Sequence, residues 1–265
     1  MQYYVSKPST FMYLYPDVKS EVTDELLYGT RVESFDESYA GFLFCKTEYG
    51  YTGHVDVSDL SEKKRGGERF VVTSSFCDLY EYPEYRFSPK MTLPRGSIIS
   101  GEMSRCRDER FSVIKTDKEI FVPSGNIERI SALSRIDTEE KKRKEIVKAA
   151  LSYLGVPYRW GGKSTFGIDC SGLCFMAYFL CGLSLYRDAE PDRRYVKIID
   201  FDDLKPADLI YYNGHVTMYI GLGEYVHSSA TLGGVRISSF DEKSREYYPR
   251  LKEDIVCCAR SLYLN

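Results

Sequence analysis

Hydrophobic and polar positions alternate in short runs over the first half of this chain and take a helical period only in the second half. Apolar and aromatic runs at Phe11–Tyr15, Leu26–Glu33, Gly41–Lys46 and Tyr51–Asp56 are separated by turn residues, with no 3.6-residue repeat. That pattern predicts short strands closing a small barrel. A second series follows at Arg69–Thr73, Cys77–Tyr80, Gly96–Gly101, Phe111–Lys115 and Ile120–Ser124, and it repeats the Leu-x-x-Gly spacing of the first. It reads as a diverged second barrel. Between them, Ser61–Arg69 is charged and carries a Gly pair, as a linker does.

The period changes at Glu139. Ile146, Val147, Ala150, Leu151 and Leu154 fall on one stripe of a helix that Gly155 would stop. An unbroken apolar run, Leu173–Cys181, is then closed by Gly182, as a buried helix would be. The remaining segments, near 208–212, 215–220, 224–228, 235–238 and 255–263, read as strands of a sheet packed on those helices, an α+β arrangement.

At 265 residues the chain is long enough for two or three domains, and 43% hydrophobic with 28% charged residues describes a globular protein. A formal net charge of −3 leaves no electrostatic footprint for nucleic acid. The basic cluster Lys141–Lys144 follows Glu139 and Glu140 and reads as a solvated helix face. No apolar run approaches the ~18–20 residues of a membrane span. The N-terminus lacks a basic region leading into an apolar one, so the expected location is cytoplasmic, or secreted and wall-associated for a trimmed chain. Eight cysteines without a Cys-x-x-Cys pair, and none at zinc-ligand spacing with His, read as free thiols, with no metal site.

The candidate chemistry lies where a Gly-rich loop, with glycines at 161, 162 and 167, runs into Asp169-Cys170-Ser171-Gly172 and the apolar helix. Cys170 is thereby placed at a helix N-terminus, where unpaired N–H groups and the dipole favour thiolate. A small residue opening a core helix would look the same. His215 and His227, two of the three histidines, fall on neighbouring strands after that helix. A helix-borne Cys with a strand-borne His as base and a third group orienting it is a Cys-His triad.

Here the chain resembles the NlpC-type bacterial cell-wall cysteine peptidases, over Thr138 to the C-terminus. Pro157-Tyr-Arg-Trp-Gly-Gly162, Asp169-Cys-Ser-Gly-Leu173, Leu204-Lys-Pro-Ala-Asp-Leu209, Gly214-His215 and His227 stand in the family's order. The resemblance implies Cys170 as nucleophile, His215 as base, His227 as orienting residue and Tyr158 as an aid to the oxyanion, with no metal and no cofactor. The first 60 residues resemble bacterial SH3-like domains. The expected architecture is two small all-β SH3-like barrels (1–62 and 68–131) followed by an α+β papain-like cysteine peptidase domain (137–265). In 184–194 the family tends to have Pro-Arg-Asp/Thr-Ser, from which Tyr186 and Ala189 depart.

The resemblance extends to substrate. A subgroup of relatives with this domain order cuts the γ-D-glutamyl bond of peptidoglycan stem peptides with a free N-terminal L-Ala, followed by L-Lys or diaminopimelate. It implies that Tyr51 closes the pocket behind the alanine, against the alternative of a barrel-core tyrosine. Asp169 either holds the alanine ammonium or simply caps the helix. Ser171 and Trp160 complete the substrate-binding candidates, and His54 reads as structural. The rival functions are an amidase or broader endopeptidase acting on intact wall, and a non-catalytic wall-binding protein.

Overall fold

The computed structural model describes residues 1–35, 38–63, 66–133 and 138–264. Lys64 and Arg65 of the expected linker, and residues 134–137 at the expected start of the last domain, lie outside the described residues. The chain divides into two compact units, Met1–Ala132 and Leu133–Asn265.

The first unit is built mainly of strands. Its leading part holds Gln2–Val5 (β1), Ser9–Tyr13 (β2), Val22–Leu27 (β3), Arg31–Ser34 (β4), Phe42–Thr47 (β5), Thr52–Asp56 (β6) and Leu60–Ser61 (β7). Among the described residues these form one antiparallel sheet in the order β3-β2-β6-β5-β4-β1-β7. Its inward positions, Tyr3, Val5, Met12, Leu26, Val32, Leu43, Cys45 and Val55, form one core. The expected strand Leu26–Glu33 is instead two, β3 and β4. Gly29 breaks it at φ 78°, where a Cβ would stand 1.9 Å from the Ile98 carbonyl oxygen, so only glycine fits.

The trailing part holds Glu68–Val72 (β8), Phe76–Leu79 (β9), Met91–Pro94 (β10), Ile98–Arg105 (β11), Phe111–Lys115 (β12), Glu119–Pro123 (β13) and Ile127–Arg129 (β14). A sheet in the order β13-β12-β11-β8-β14 and the β9–β10 hairpin enclose a second core of Phe70, Val72, Cys77, Leu93, Ile99, Ile114 and Val122. One helical turn, Ile130–Leu133 (α1), follows.

The second unit opens with helix Glu139–Leu151 (α2), capped by Thr138, whose hydroxyl accepts from the Lys141 N–H. The helix stops three residues earlier than its apolar stripe suggested, and Leu154 is exposed. A small hairpin, Lys163–Ser164 (β15) and Gly167–Ile168 (β16), leads into helix Cys170–Phe179 (α3), buried on nearly every side. Strands Val196–Ile199 (β17), Leu209–Tyr212 (β18), His215–Gly221 (β19), Glu224–Ser229 (β20), Gly234–Ser239 (β21) and Cys257–Ser261 (β22) make an antiparallel sheet, β17-β22-β18-β19-β20-β21. α3 packs against α2 and against β19 and β20 of that sheet.

The basic cluster on α2 is not wholly a solvated face. Arg143 is buried, because its guanidinium donates to Glu139 (2.8 Å), to the Pro206 carbonyl (2.7 Å) and to Asp208 (2.8 Å). Asp208 is fully buried and also accepts from Arg260 and from the Lys205 N–H. One carboxylate thus ties α2, β18 and β22 together. Asp208→Ala would take from Arg143 and Arg260 the buried carboxylate they share. A loss of roughly 3–5 kcal/mol in urea unfolding is expected; a loss below ~1 kcal/mol would show that the pair contributes little.

Candidate active site

Asp169 sits at the N-cap of α3 in an extended conformation, and its Oδ1 accepts from the Gly172 N–H at 2.6 Å. The Gly loop closes directly over this turn. The Asp169 N–H donates to the Gly162 carbonyl (3.1 Å), and a Cβ on Gly172 would stand 2.3 Å from the Gly162 oxygen. Backbone approaches backbone here, so both positions need glycine.

Arg187, 2% exposed, holds the assembly from behind. It donates to Asp169 Oδ1 (3.1 Å) and Oδ2 (3.1 Å), to Ser171 Oγ (2.9 Å) and to the carbonyls of Gly161 (2.9 Å) and Gly162 (3.3 Å). Sequence reading missed this residue within a polar loop. The available signal was the buried carboxylate at the cap, which requires a positive partner. Asp169 meets that partner inside the protein while its side chain caps α3.

Cys170 is the first residue of α3 and 6% exposed. The backbone N–H of Val216, the residue after His215, opposes the rise of its thiol. The two-residue Asn213-Gly214 turn pairs Tyr212 with His215 and so sets the histidine at the start of β19, with Gly214 at φ 70°. His215 Nε2 lies 3.0 Å from His227 Nδ1, and His227 Nε2 lies 3.1 Å from Ser238 Oγ. Strands β19, β20 and β21 therefore bring His215, His227 and Ser238 into one hydrogen-bonded row, and α3, which opens on Cys170, packs against β19 and β20. Ser238 was not foreseen, since a serine in a strand has no pattern of its own.

The expected resting thiolate is not what this environment favours. Burial pushes the Cys170 thiol up to about 11, and the Asp169 charge pushes the same way; the N–H groups of Val216 and Ser171, then Arg187, oppose them. The helix N-terminus acts as foreseen but loses to desolvation and to the cap carboxylate. Burial lowers His215 to about 4, and burial with the neighbouring His215 lowers His227 to about 3. Thiol and imidazoles are all neutral at pH 7, so the proton moves only when the sulfur attacks.

Tyr158 is raised to about 12 by burial, then by Cys170 and Asp169, so its hydroxyl stays protonated. The Ser171 hydroxyl is committed to Asp169 and Arg187. Trp160 is 59% exposed on the loop before the hairpin. Tyr51, in the first unit, packs against the core of its own sheet. His54 Nδ1 lies 3.1 Å from the Leu14 carbonyl and its ring rests on Phe44. Among the described residues no helix is long and apolar enough to cross a membrane.

Residues 155–251 match the model of the NlpC/P60 family. Over 92% of this chain and 92% of the relative, the sequence is 32% identical to dipeptidyl-peptidase 6 of Lysinibacillus sphaericus. It is 33% identical to a gamma-D-glutamyl-L-lysine dipeptidyl-peptidase of Bacillus cereus, over 83% of this chain and 66% of that one. In fold, the chain is similar to the crystal structure of an NlpC/P60 family protein from Bacillus cereus, with a TM-score of 0.82, covering 99% of this chain and 100% of that one at 18% identity.

Two measurements test the electrostatics. Iodoacetamide alkylation of Cys170 should accelerate nearly tenfold per pH unit from about pH 7 to 9. A rate already flat at pH 6 would reveal a preformed thiolate–imidazolium pair. Both histidines lie below their ordinary value, so between about pH 6.5 and 4 the unfolded chain binds protons that the folded one refuses. Stability is complete above pH 6.5 and drains as pH falls, by as much as roughly 3 kcal/mol per histidine. Calorimetry should show the second unit losing Tm from pH 7 to 5, with a shallower slope in His227→Gln; equal slopes would refute the assignment.

Proposed function

This chain belongs to the NlpC/P60 family and is a hydrolase of the peptidoglycan-peptidase class, and from that premise we propose that it is a cysteine peptidase cutting the γ-D-glutamyl–L-diamino-acid bond of stem peptides. One observation carries the mechanism: Cys170 opens a helix packed against the strand that begins with His215, and His215 Nε2 lies 3.0 Å from a second imidazole. The relative named for γ-D-glutamyl-L-lysine cleavage, similar across both units of this chain, supports the choice of bond.

His215 Nε2 is engaged with His227, which leaves Nδ1 for the thiol. As Cys170 Sγ bonds to the γ-carbonyl carbon, its proton passes to Nδ1 and the carbonyl oxygen becomes an oxyanion. Tyr158, kept protonated by its surroundings, donates to that oxygen. Collapse breaks the C–N bond, and the imidazolium returns its proton to the leaving α-amine of the diamino acid. Water then attacks the thioester with His215 as base, releasing L-Ala-D-Glu and the free thiol. Every proton starts and ends on a named atom, and the cycle uses no further group.

The finer substrate claim is a free N-terminal L-Ala. A second reading, an endopeptidase acting on intact peptidoglycan, is favoured by one feature: both oxygens of Asp169 already accept from Arg187. Paired peptides separate the two. L-Ala-γ-D-Glu-L-Lys should be cleaved at least ~100-fold faster than its N-acetyl form if an ammonium contact of ~3 kcal/mol contributes. Equal rates would leave the broader endopeptidase standing. Cys170→Ala should abolish both activities without loss of fold; residual turnover above ~1% would remove Cys170 from the mechanism.

A further inference from the structure

The hydrogen-bonded row His215–His227–Ser238 has a direction, and the direction decides whether His215 can act as a base. This inference rests on the proposed function and deepens it. With both rings neutral, a single proton lies on the 3.0 Å line between His215 Nε2 and His227 Nδ1. If it belongs to His215, the ring's Nδ1 carries a lone pair and can receive the thiol proton. If it belongs to His227, then His215 carries its hydrogen on Nδ1, aimed toward the sulfur, and cannot accept.

A neutral imidazole has only one N–H. In the working arrangement His227 therefore accepts at Nδ1 and carries its hydrogen on Nε2, 3.1 Å from Ser238 Oγ. Ser238 must accept that hydrogen bond and pass its own O–H onward. In the idle arrangement the row runs backwards: Ser238 donates to His227 Nε2, and His227 donates to His215. The fate of the Ser238 hydrogen thus selects between them.

The sheet supplies both the position and the acceptor. His227 pairs with Arg236 across β20 and β21, so Ser238 is its diagonal neighbour on the same face. Tyr225 is the direct cross-strand partner of Ser238, and its ring meets that of His227 at 5.4 Å between centroids. The Tyr225 hydroxyl is buried without a hydrogen-bond partner. Facing Ser238 across β20 and β21 with both lone pairs unused, it is the acceptor within the sheet to which the serine hydrogen can turn. Ser238 is 2% exposed, so water does not compete for the role.

We propose that Ser238 is a positioning residue for the hydrolysis: it accepts from His227 Nε2–H, hands its hydrogen toward Tyr225, and thereby holds His215 in the tautomer that can take the proton of Cys170.

The test uses the full chain and two substitutions. Ser238→Ala should lower kcat about 10- to 100-fold while KM changes less than about threefold, because one buried N–H loses its acceptor only in the working arrangement. Ser238→Thr, which keeps the hydroxyl, should recover kcat to within about threefold of the parent. Nitrogen-15 imidazole spectra, recorded in a Cys170→Ala background, need no turnover. They should show both His215 and His227 as Nε2–H, with His215 moving toward Nδ1–H on addition of Ser238→Ala. A kcat for Ser238→Ala within threefold of the parent, or unchanged tautomers, would overturn the proposal. If Ser238→Ala does not fold, the parent spectra still decide, since an Nδ1–H tautomer on either histidine overturns it. Parent enzyme inactive on every stem peptide, yet with both rings as Nε2–H, would count against the proposed function alone.

Discussion

The site depends on one buried guanidinium. Arg187 holds both oxygens of Asp169, the Ser171 hydroxyl and two carbonyls of the Gly loop, and so fastens the first turn of α3 to the loop ahead of it. A planar fork with donors in fixed directions can satisfy five such acceptors; the point charge of a lysine cannot. Burying the pair yields little net stability, because desolvation consumes most of the Coulomb gain. What it secures is geometry. Gly162 and Gly172 touch backbone to backbone, and the nucleophile's helix cannot slide or fray without separating a charge from its partner inside the protein.

That same arrangement fixes the electrostatic character of the centre. A cap carboxylate beside Cys170 opposes ionisation of the thiol, and Arg187 only partly cancels it. Burial acts on the sulfur and on both imidazoles in the same sense, toward the uncharged form. Charge therefore arises only as bonds form, in a place where an oxyanion would meet the hydroxyl of Tyr158 and an imidazolium would face the lone pair of His227. Groups already oriented toward developing charge need not reorganise when it appears. A neutral resting pair also keeps the thiol from reacting indiscriminately.

Much of this was legible from residue order because local rules settle it. Gly161, Gly162, Asp169 and the apolar run after it specify a loop, a cap and a buried helix, and α3 begins on Cys170 as that reading requires. The Asn213-Gly214 turn announces a hairpin, and His215 opens the strand behind it. Strand β1 and the split at Gly29 escaped notice, since Gln2–Val5 is short and Gly29 is dictated by the distant Ile98 carbonyl. The sequence reading puts Arg143 on a solvated face and gives Arg187 no role, because a basic residue in a polar run usually belongs at the surface. What reversed them lies 65 and 18 positions away in sequence, at Asp208 and Asp169, and no local pattern reports a partner at such distance.

The two misread arginines follow one logic. Each buried aspartate sits where chain segments of different origin converge: Asp208 among α2, β18 and β22, and Asp169 among the Gly loop, α3 and the segment carrying Arg187. An apolar core tolerates small slips between such segments, since dispersion is non-directional. A bidentate ion pair in the same place does not, because displacement leaves an unsatisfied charge. The peptidase chemistry needs that intolerance. A proton must pass between a sulfur on a helix and a nitrogen on a strand, and hydrogen-bond reach is lost within a few tenths of an ångström. Spending polar groups inside the second unit is then the means by which helix and sheet are held in a single register. It also explains why these carboxylates are invisible to a hydrophobic pattern: they carry register, not burial.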